Sequence, residues 1–220
     1  MLSLPHKCIF VHIPKTAGQS IERFFLRRLG LGWGDRRKLL LRPNSDPRRG
    51  PDRLAHLTMR EYLQYGYVDS EQFNHLYKFA FVRNPWDKIV SSFNYRQLYK
   101  HMSFREYIFE KQPKPIAYQG AYRHVMRQVD YICDEFGEIC VDYVGRFETL
   151  QRDFDHVCSS LDIPANQLPH TNISTNQHGD TMGNKKRHYS EYYDGETKEK
   201  VAEMYKEDID TFNYRFEAIS

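Results

Sequence analysis

Residues Phe10 to Ser20 read FVHIPKTAGQS: an apolar run that stops at Pro14, then Lys15, Thr16, Gly18 and Ser20. A helical stripe of Ile21, Phe24, Phe25 and Leu29 follows at once and is stopped by Gly30. Strand, basic Gly-containing turn, helix is the order a chain needs to hold a phosphate-like anion. Backbone N–H groups and the helix N-terminus supply oriented donors, and the lysine supplies charge. The turn differs from a Walker A loop, in which the Lys follows the closing Gly. Here Lys15 precedes Gly18 and no Gly opens the turn.

The same logic recurs at Phe79 to Ser92, FAFVRNPWDKIVSS. A buried strand over Tyr77 to Val82 is broken by Asn84-Pro85, and a long helix over Trp86 to Lys100 follows. Arg83 stands at the carboxyl end of that strand, where open α/β sheets bind ligands, and Ser91 lies within the next helix. An Arg fork with a hydroxyl nearby suits a phosphate. The pair could equally be an arginine bonded to an acidic neighbour and a serine packed on the sheet. Taken with the Lys15 turn, the two strand ends describe one ligand carrying two separated anionic groups.

Between and beyond these motifs the chain alternates. Lys7 to Ile13 predicts the first strand, with His12 inside it. Thr58-Met59-Arg60-Glu61 is a capping box opening a helix to Tyr65, and Ser103 to Glu106 is a second. Asp69 to Leu76 reads as a helix. Val129 to Ile132 and Ile139 to Val144, which holds Asp142, read as a hairpin around Asp134 to Gly137. Thr149 to Leu161 reads as a helix, 163 to 188 as polar and irregular, and about Thr197 to Asp208 as the last helix. Alternation of apolar strands with helices predicts an α/β fold with a mainly parallel sheet covered on both faces. A chain of 220 residues that is 40% hydrophobic supports one domain spanning 1–220.

A net charge of +3 does not imply nucleic acid. Its distribution is uneven: residues 34 to 53 hold seven Lys or Arg against three Asp, with three Pro between them. That stretch reads as a solvated loop or as a mobile basic flap over an anionic substrate. No apolar leader or membrane span is apparent. Cys8, Cys133, Cys140 and Cys158 match no zinc spacing. Cys8 and Cys158 fall on apolar positions, and Cys133 and Cys140 could pair only in an oxidising setting. The expected location is a reducing cytoplasm.

PKTAGQS resembles the 5′-phosphosulfate loop, and FVRNPWDKIVSS the 3′-phosphate motif, of sulfotransferases that use 3′-phosphoadenosine 5′-phosphosulfate (PAPS). The likeness is to the carbohydrate branch, which includes heparan sulfate 2-O-sulfotransferase and bacterial relatives. It extends through Val144-Gly145-Arg146-Phe147-Glu148 and the segment from His188 to Phe216. It implies a P-loop-like three-layer fold, a PAPS donor, no metal, and a hydroxyl acceptor, with a saccharide favoured. Lys15, Thr16, Ala17, Gly18, Gln19 and Ser20 map onto the phosphosulfate loop, and Arg83 and Ser91 onto the 3′-phosphate pair. Gln19 departs from the usual Thr or small residue. Lys185-Lys186-Arg187-His188-Tyr189 occupies the place of a basic or aromatic loop that closes over the nucleotide in such enzymes, with Lys186 and Arg187 as its candidate contacts.

Sulfuryl transfer, like phosphoryl transfer, gathers charge on the bridging oxygen of the leaving group, and Lys15 is placed to meet it. The acceptor hydroxyl must lose a proton, a task for histidine. Of the ten histidines, His56 lies between the two motifs, just before the Thr58 capping box, and resembles the histidine of this region in related enzymes. His12, in the strand, is expected to be structural. His75, His101 and His178 lack supporting context, and His188 is the substitute for His56. Two other classes compete: a nucleotide kinase with a degenerate P-loop, which needs a strand-end carboxylate for Mg²⁺, and an inert nucleotide-binding scaffold.

Overall fold

The computed structural model describes residues 1–169 and 187–219. Strand β1 (Leu2–Ser3) runs antiparallel to β2 (Cys8–Val11), pairing Leu2 with Ile9 and Ser3 with Cys8. The loop after β2 enters helix α1 (Gly18–Arg28). Residues Trp33–Leu39, Pro47–Arg49 and Leu54–His56 form 3₁₀ turns, and α2 (Met59–Gln64) and α3 (Ser70–His75) follow. Strand β3 (Tyr77–Val82) lies parallel to β2, with Phe10 opposite Phe79 and Val11 opposite Ala80.

Beyond β3 come α4 (Pro85–Tyr95), α5 (Phe104–Phe109), α6 (Gly120–Arg123) and α7 (Val129–Ile132). Strand β4 (Tyr143–Arg146) pairs parallel with β3 and leads to α8 (Leu150–Ser160). Helices α9 (Gly195–Met204) and α10 (Lys206–Phe212) end the described fold. The sheet order is β1-β2-β3-β4.

All four β2 residues are buried because the sheet is covered on both faces. Cys8, Phe10, Phe79 and Phe81 pack with Ile21, Phe24 and Phe25 of α1 and Phe154, Val157 and Cys158 of α8. The alternate residues Ile9, Val11, Ala80 and Val82 pack with Leu57, Tyr62, Tyr131, Ile132 and Phe212. A third cluster, built on Trp86, Ile89 and Phe93 of α4 with Phe104, Tyr107, Val201 and Tyr205, fixes α4 against α5 and α9. Gly145 is required by this packing: a Cβ there would stand 2.5 Å from the Phe81 ring.

The structure corrects several sequence expectations. Val129–Ile132 is helical, not half of a hairpin, because both oxygens of the buried Asp208 carboxylate accept from the Gln128 and Val129 N–H groups at 2.9 and 3.0 Å and start a turn. Only a bridge between Cys133 and Ile139 remains of that hairpin. Asp142 lies ahead of β4, where its carboxylate accepts from the Lys78 N–H at 2.7 Å. Helix α4 stops at Tyr95, with Gln97 in a left-handed conformation (φ 54°) before a 3₁₀ turn at Leu98–Lys100.

The last helix breaks at Tyr205, whose buried ring donates its hydroxyl to the Val125 carbonyl at 2.7 Å. His12 lies one residue past β2. The basic stretch is pinned rather than a free flap. The Asn44 amide donates to the carbonyls of Asp46, Gly50 and Pro51, and the Tyr118 hydroxyl donates to the Asn44 carbonyl. All four cysteines are free thiols, with Cys8 and Cys158 buried. No helix among the described residues is long and apolar enough to cross a membrane.

Candidate active site

Parallel pairing of β2 with β3 puts the two turns that leave their carboxyl ends side by side. In the first turn Lys15 (φ 72°) and Ala17 (φ 67°) both take left-handed backbone conformations, unusual for residues with a Cβ. Thr16 is fully buried, its hydroxyl donating to the Ile13 carbonyl at 2.8 Å. Ala17 caps α1, so the Gly18 and Gln19 amides open the helix without intrahelical partners. Ser20 is half-buried, its N–H bonded to the Ala17 carbonyl at 2.9 Å. The Lys15 ammonium lies 3.8 Å from the centre of the Tyr95 ring. Burial, and then the nearby Arg83 charge, lower its pKa to about 8.

Arg83 leaves β3 almost fully buried. Its Nε and Nη2 bind the Asp87 carboxylate at 2.8 and 2.7 Å, Nη1 donates to the Lys15 carbonyl at 3.0 Å, and its plane rests on the Phe147 ring at 4.0 Å. The acidic-neighbour reading of Arg83 therefore holds, yet two of its five N–H donors remain. The Ser91 hydroxyl, half-buried, has no partner among the described residues. The Glu148 carboxylate accepts from the Asn84 N–H at 2.7 Å, so the end of β4 braces the end of β3. Beside these strand ends a cleft of about 460 Å³ is lined by Asn84, Asp87, Arg146, Arg187, Tyr189 and Arg215 among others. Arg187 is exposed and paired with Glu191. Lys185, Lys186 and His178 lie outside the described residues.

His56 is buried, not a surface histidine. Its Nδ1 lies 3.1 Å from the His12 carbonyl, which can only accept, so Nδ1 carries the proton and Nε2 keeps its lone pair. Burial first, then the neighbouring His12 and His124, hold its pKa well below the ordinary imidazole value. His12, expected to be structural, links the loop, α1 and His56. Its Nδ1 bonds the buried Glu22 at 2.6 Å, its carbonyl fixes His56, and its ring lies against Gly18. A Cβ on Gly18 would come within 2.0 Å of His12 Nε2.

The sequence reading missed three contributors. His124 lies with its ring 5.9 Å from that of His56 and stacks on Tyr95 at 5.6 Å and 7°. Burial, with the Lys15 and Lys88 charges, pushes its pKa down to about 3. Arg123, 1% exposed, grips both oxygens of Glu61 at 2.8 and 2.6 Å, while Glu61 caps the Thr58 N–H at 2.8 Å. That buried pair fixes the turn carrying His56. Lys88, also buried, donates to the Met126 carbonyl at 2.9 Å and holds the His124 segment. Glu22 was detectable as an acid within the apolar stripe of α1. His124 sits in a short irregular stretch with no periodic signal.

Lys15, the α1 amides and Arg83 thus stand at two adjoining strand ends, with His56 tied to the first of them through the His12 carbonyl, while Ser91 lies within α4 with no contact to them. The match to known proteins runs in the same direction. An uncharacterized protein of Archaeoglobus fulgidus is 26% identical over 100 residues, covering 44% of this chain and 77% of its own. No solved structure matches. Residues 2–215 match the sulfotransferase family, and the chain belongs to that family.

Proposed function

We propose that the chain transfers the sulfuryl group of PAPS to a hydroxyl of an acceptor, with a carbohydrate as the favoured class, within a P-loop-like three-layer fold. The observation that carries the reading is the His56 Nδ1 contact with the His12 carbonyl at 3.1 Å, which leaves Nε2 unprotonated on a residue hung from the strand end that opens the Lys15 loop. The residues present suit the donor. The α1 amides and Lys15 match a phosphosulfate, and the two remaining Arg83 donors with the Ser91 hydroxyl match a 3′-phosphate. The cleft with Arg146 and Arg187 has room for the nucleoside end.

PAPS supplies a sulfuryl group on a phosphate leaving group. His56 Nε2 takes the acceptor proton as the acceptor oxygen bonds to sulfur. Lys15 meets the charge left on the bridging oxygen as the sulfur–oxygen bond to phosphate breaks. Glu22, through His12, and Arg123, through Glu61, hold the imidazole in place. A kinase reading is disfavoured because Arg83 follows β3, Asp142 lies ahead of β4, and Glu148, past the end of β4, is engaged by the Asn84 N–H. The test is transfer of labelled sulfate from PAPS to a panel of oligosaccharides, polysaccharides, lipids and small alcohols. His56→Ala should lose about 10²–10⁴ in turnover and keep its affinity for adenosine 3′,5′-bisphosphate. Transfer to no hydroxyl acceptor, or near-normal turnover in His56→Ala, would overturn the assignment.

A further inference from the structure

Tyr95 ends α4, three residues past the second motif, and the residue is 47% exposed. An exposed tyrosine at a helix terminus ordinarily has freedom to turn. This one is held: the His124 ring lies parallel to it at 5.6 Å, and half-buried His124 has the Ser92 hydroxyl 3.4 Å from its Nδ1. Against that fixed ring sits the Lys15 ammonium, 3.8 Å from its centre. Lys15 has no carboxylate partner among the described residues, and its nearest charged neighbour, Arg83, repels it. An aromatic face attracts a cation while remaining neutral.

We propose that Tyr95 is a positioning residue for sulfuryl transfer. Its ring, braced by His124, holds the Lys15 ammonium at the mouth of the phosphosulfate loop while the donor site is empty, and releases it to the donor's 5′-phosphate oxygens on binding. This rests on the donor reading above. A carboxylate in the same place would hold Lys15 too tightly and would repel the incoming anion. A plain aliphatic side chain would leave a long lysine to sample many rotamers while the site is empty. The aromatic face avoids both. The Arg83 bond to the Lys15 carbonyl fixes the backbone of the same residue, so backbone and side chain are anchored separately.

The test is NMR of the full chain after reductive ¹³C-methylation of its lysines, with the Lys15 signal assigned through Lys15→Arg. A methyl-ammonium over an aromatic face is shifted upfield by the ring current. The expected result is an upfield Lys15 signal in the free protein, absent in Tyr95→Leu and restored in Tyr95→Phe. Saturation with adenosine 3′,5′-bisphosphate should move the signal to the ordinary lysine position. Affinity for the bisphosphate should rise about two- to fivefold in Tyr95→Leu, because binding no longer has to break a cation–π contact of that scale, and return to the parent value in Tyr95→Phe. An unshifted Lys15 signal in the free wild-type protein overturns the proposal. So does a signal that stays upfield when calorimetry shows the bisphosphate bound. Failure of the bisphosphate to bind at all would instead strike the donor reading, while the free-state signal still decides whether Tyr95 holds Lys15.

Discussion

Gly18→Ala probes the joint between the loop and the base. A Cβ at Gly18 would meet Nε2, Cδ2 and Cε1 of His12 at 2.0, 2.1 and 2.4 Å, so the ring must retreat by more than an ångström. It has little room, because Nδ1 is bonded to Glu22 at 2.6 Å and the opposite neighbour is the His56 ring at 4.6 Å. Overpacking of this kind costs about 1–3 kcal/mol. If the ring swings away, it strands the buried Glu22 carboxylate, for about 1–3 kcal/mol more. We expect Gly18→Ala to lose about 2–4 kcal/mol in urea unfolding, and to lose turnover beyond that, since His12 also carries the carbonyl that orients His56. In a His12→Ala background the space is open, and Gly18→Ala should cost under about 1 kcal/mol, a coupling of at least about 1 kcal/mol. Equal costs in the two backgrounds, or a loss under about 0.5 kcal/mol in the parent, would refute the account.

Other outcomes follow from the same geometry. The base works deprotonated and burial lowers the His56 pKa, so the acid limb of kcat/KM for the acceptor should lie well below pH 6.5. A limb at or above pH 6.5 would contradict the burial argument. Lys15 works protonated, so activity of the free enzyme should fall as pH rises through about 8, and kcat should hold to higher pH because the bound donor's charge favours the ammonium. Ser91→Ala should weaken adenosine 3′,5′-bisphosphate binding in calorimetry by up to about tenfold and leave the unfolding midpoint unchanged. Arg83→Ala should cost about 10–100-fold, and unaltered affinity in both would remove them from the site. Arg123→Met should destabilise by about 3–5 kcal/mol, and pairing it with Glu61→Met should recover most of the loss. No recovery in urea unfolding would show that the buried charge pair is not what the single variant disturbs.

The parts of this fold that the sequence revealed are those whose causes are local. Tyr77 to Val82 is a continuous apolar run closed by Asn84-Pro85, and both its start and its end fall where expected. The Thr58 and Ser103 capping boxes open α2 and α5. What failed has causes far away in the chain. Val129-Asp130-Tyr131-Ile132 has the period of a strand, but Asp208, about eighty residues on, caps it into a helix. Strand β1 is two residues long and exists by pairing with β2, so it had no pattern to read. The site divides in the same way. Lys15 and Arg83 stand at the ends of readable strands, whereas His124 and Tyr95 acquire meaning only once α4 and the segment after α6 are packed together.

Convergence of these residues on one place has a compact structural cause. Because β2 and β3 are parallel and in register from Cys8–Tyr77 to Val11–Ala80, both chains turn out of the sheet at the same edge. The Lys15 carbonyl then reaches Arg83 Nη1, which ties the two anion-binding turns together. The same edge exposes the His12 carbonyl one residue beyond β2, and His56 hangs from it. The groups proposed for the donor and for the acceptor are therefore both referenced to the end of one strand. His12 is the residue through which a displacement of the loop reaches the base, by its ring on one side and its carbonyl on the other. A single strand end that carries both halves keeps their separation fixed to within the play of a few buried hydrogen bonds. In-line transfer between two bound groups demands that of a scaffold.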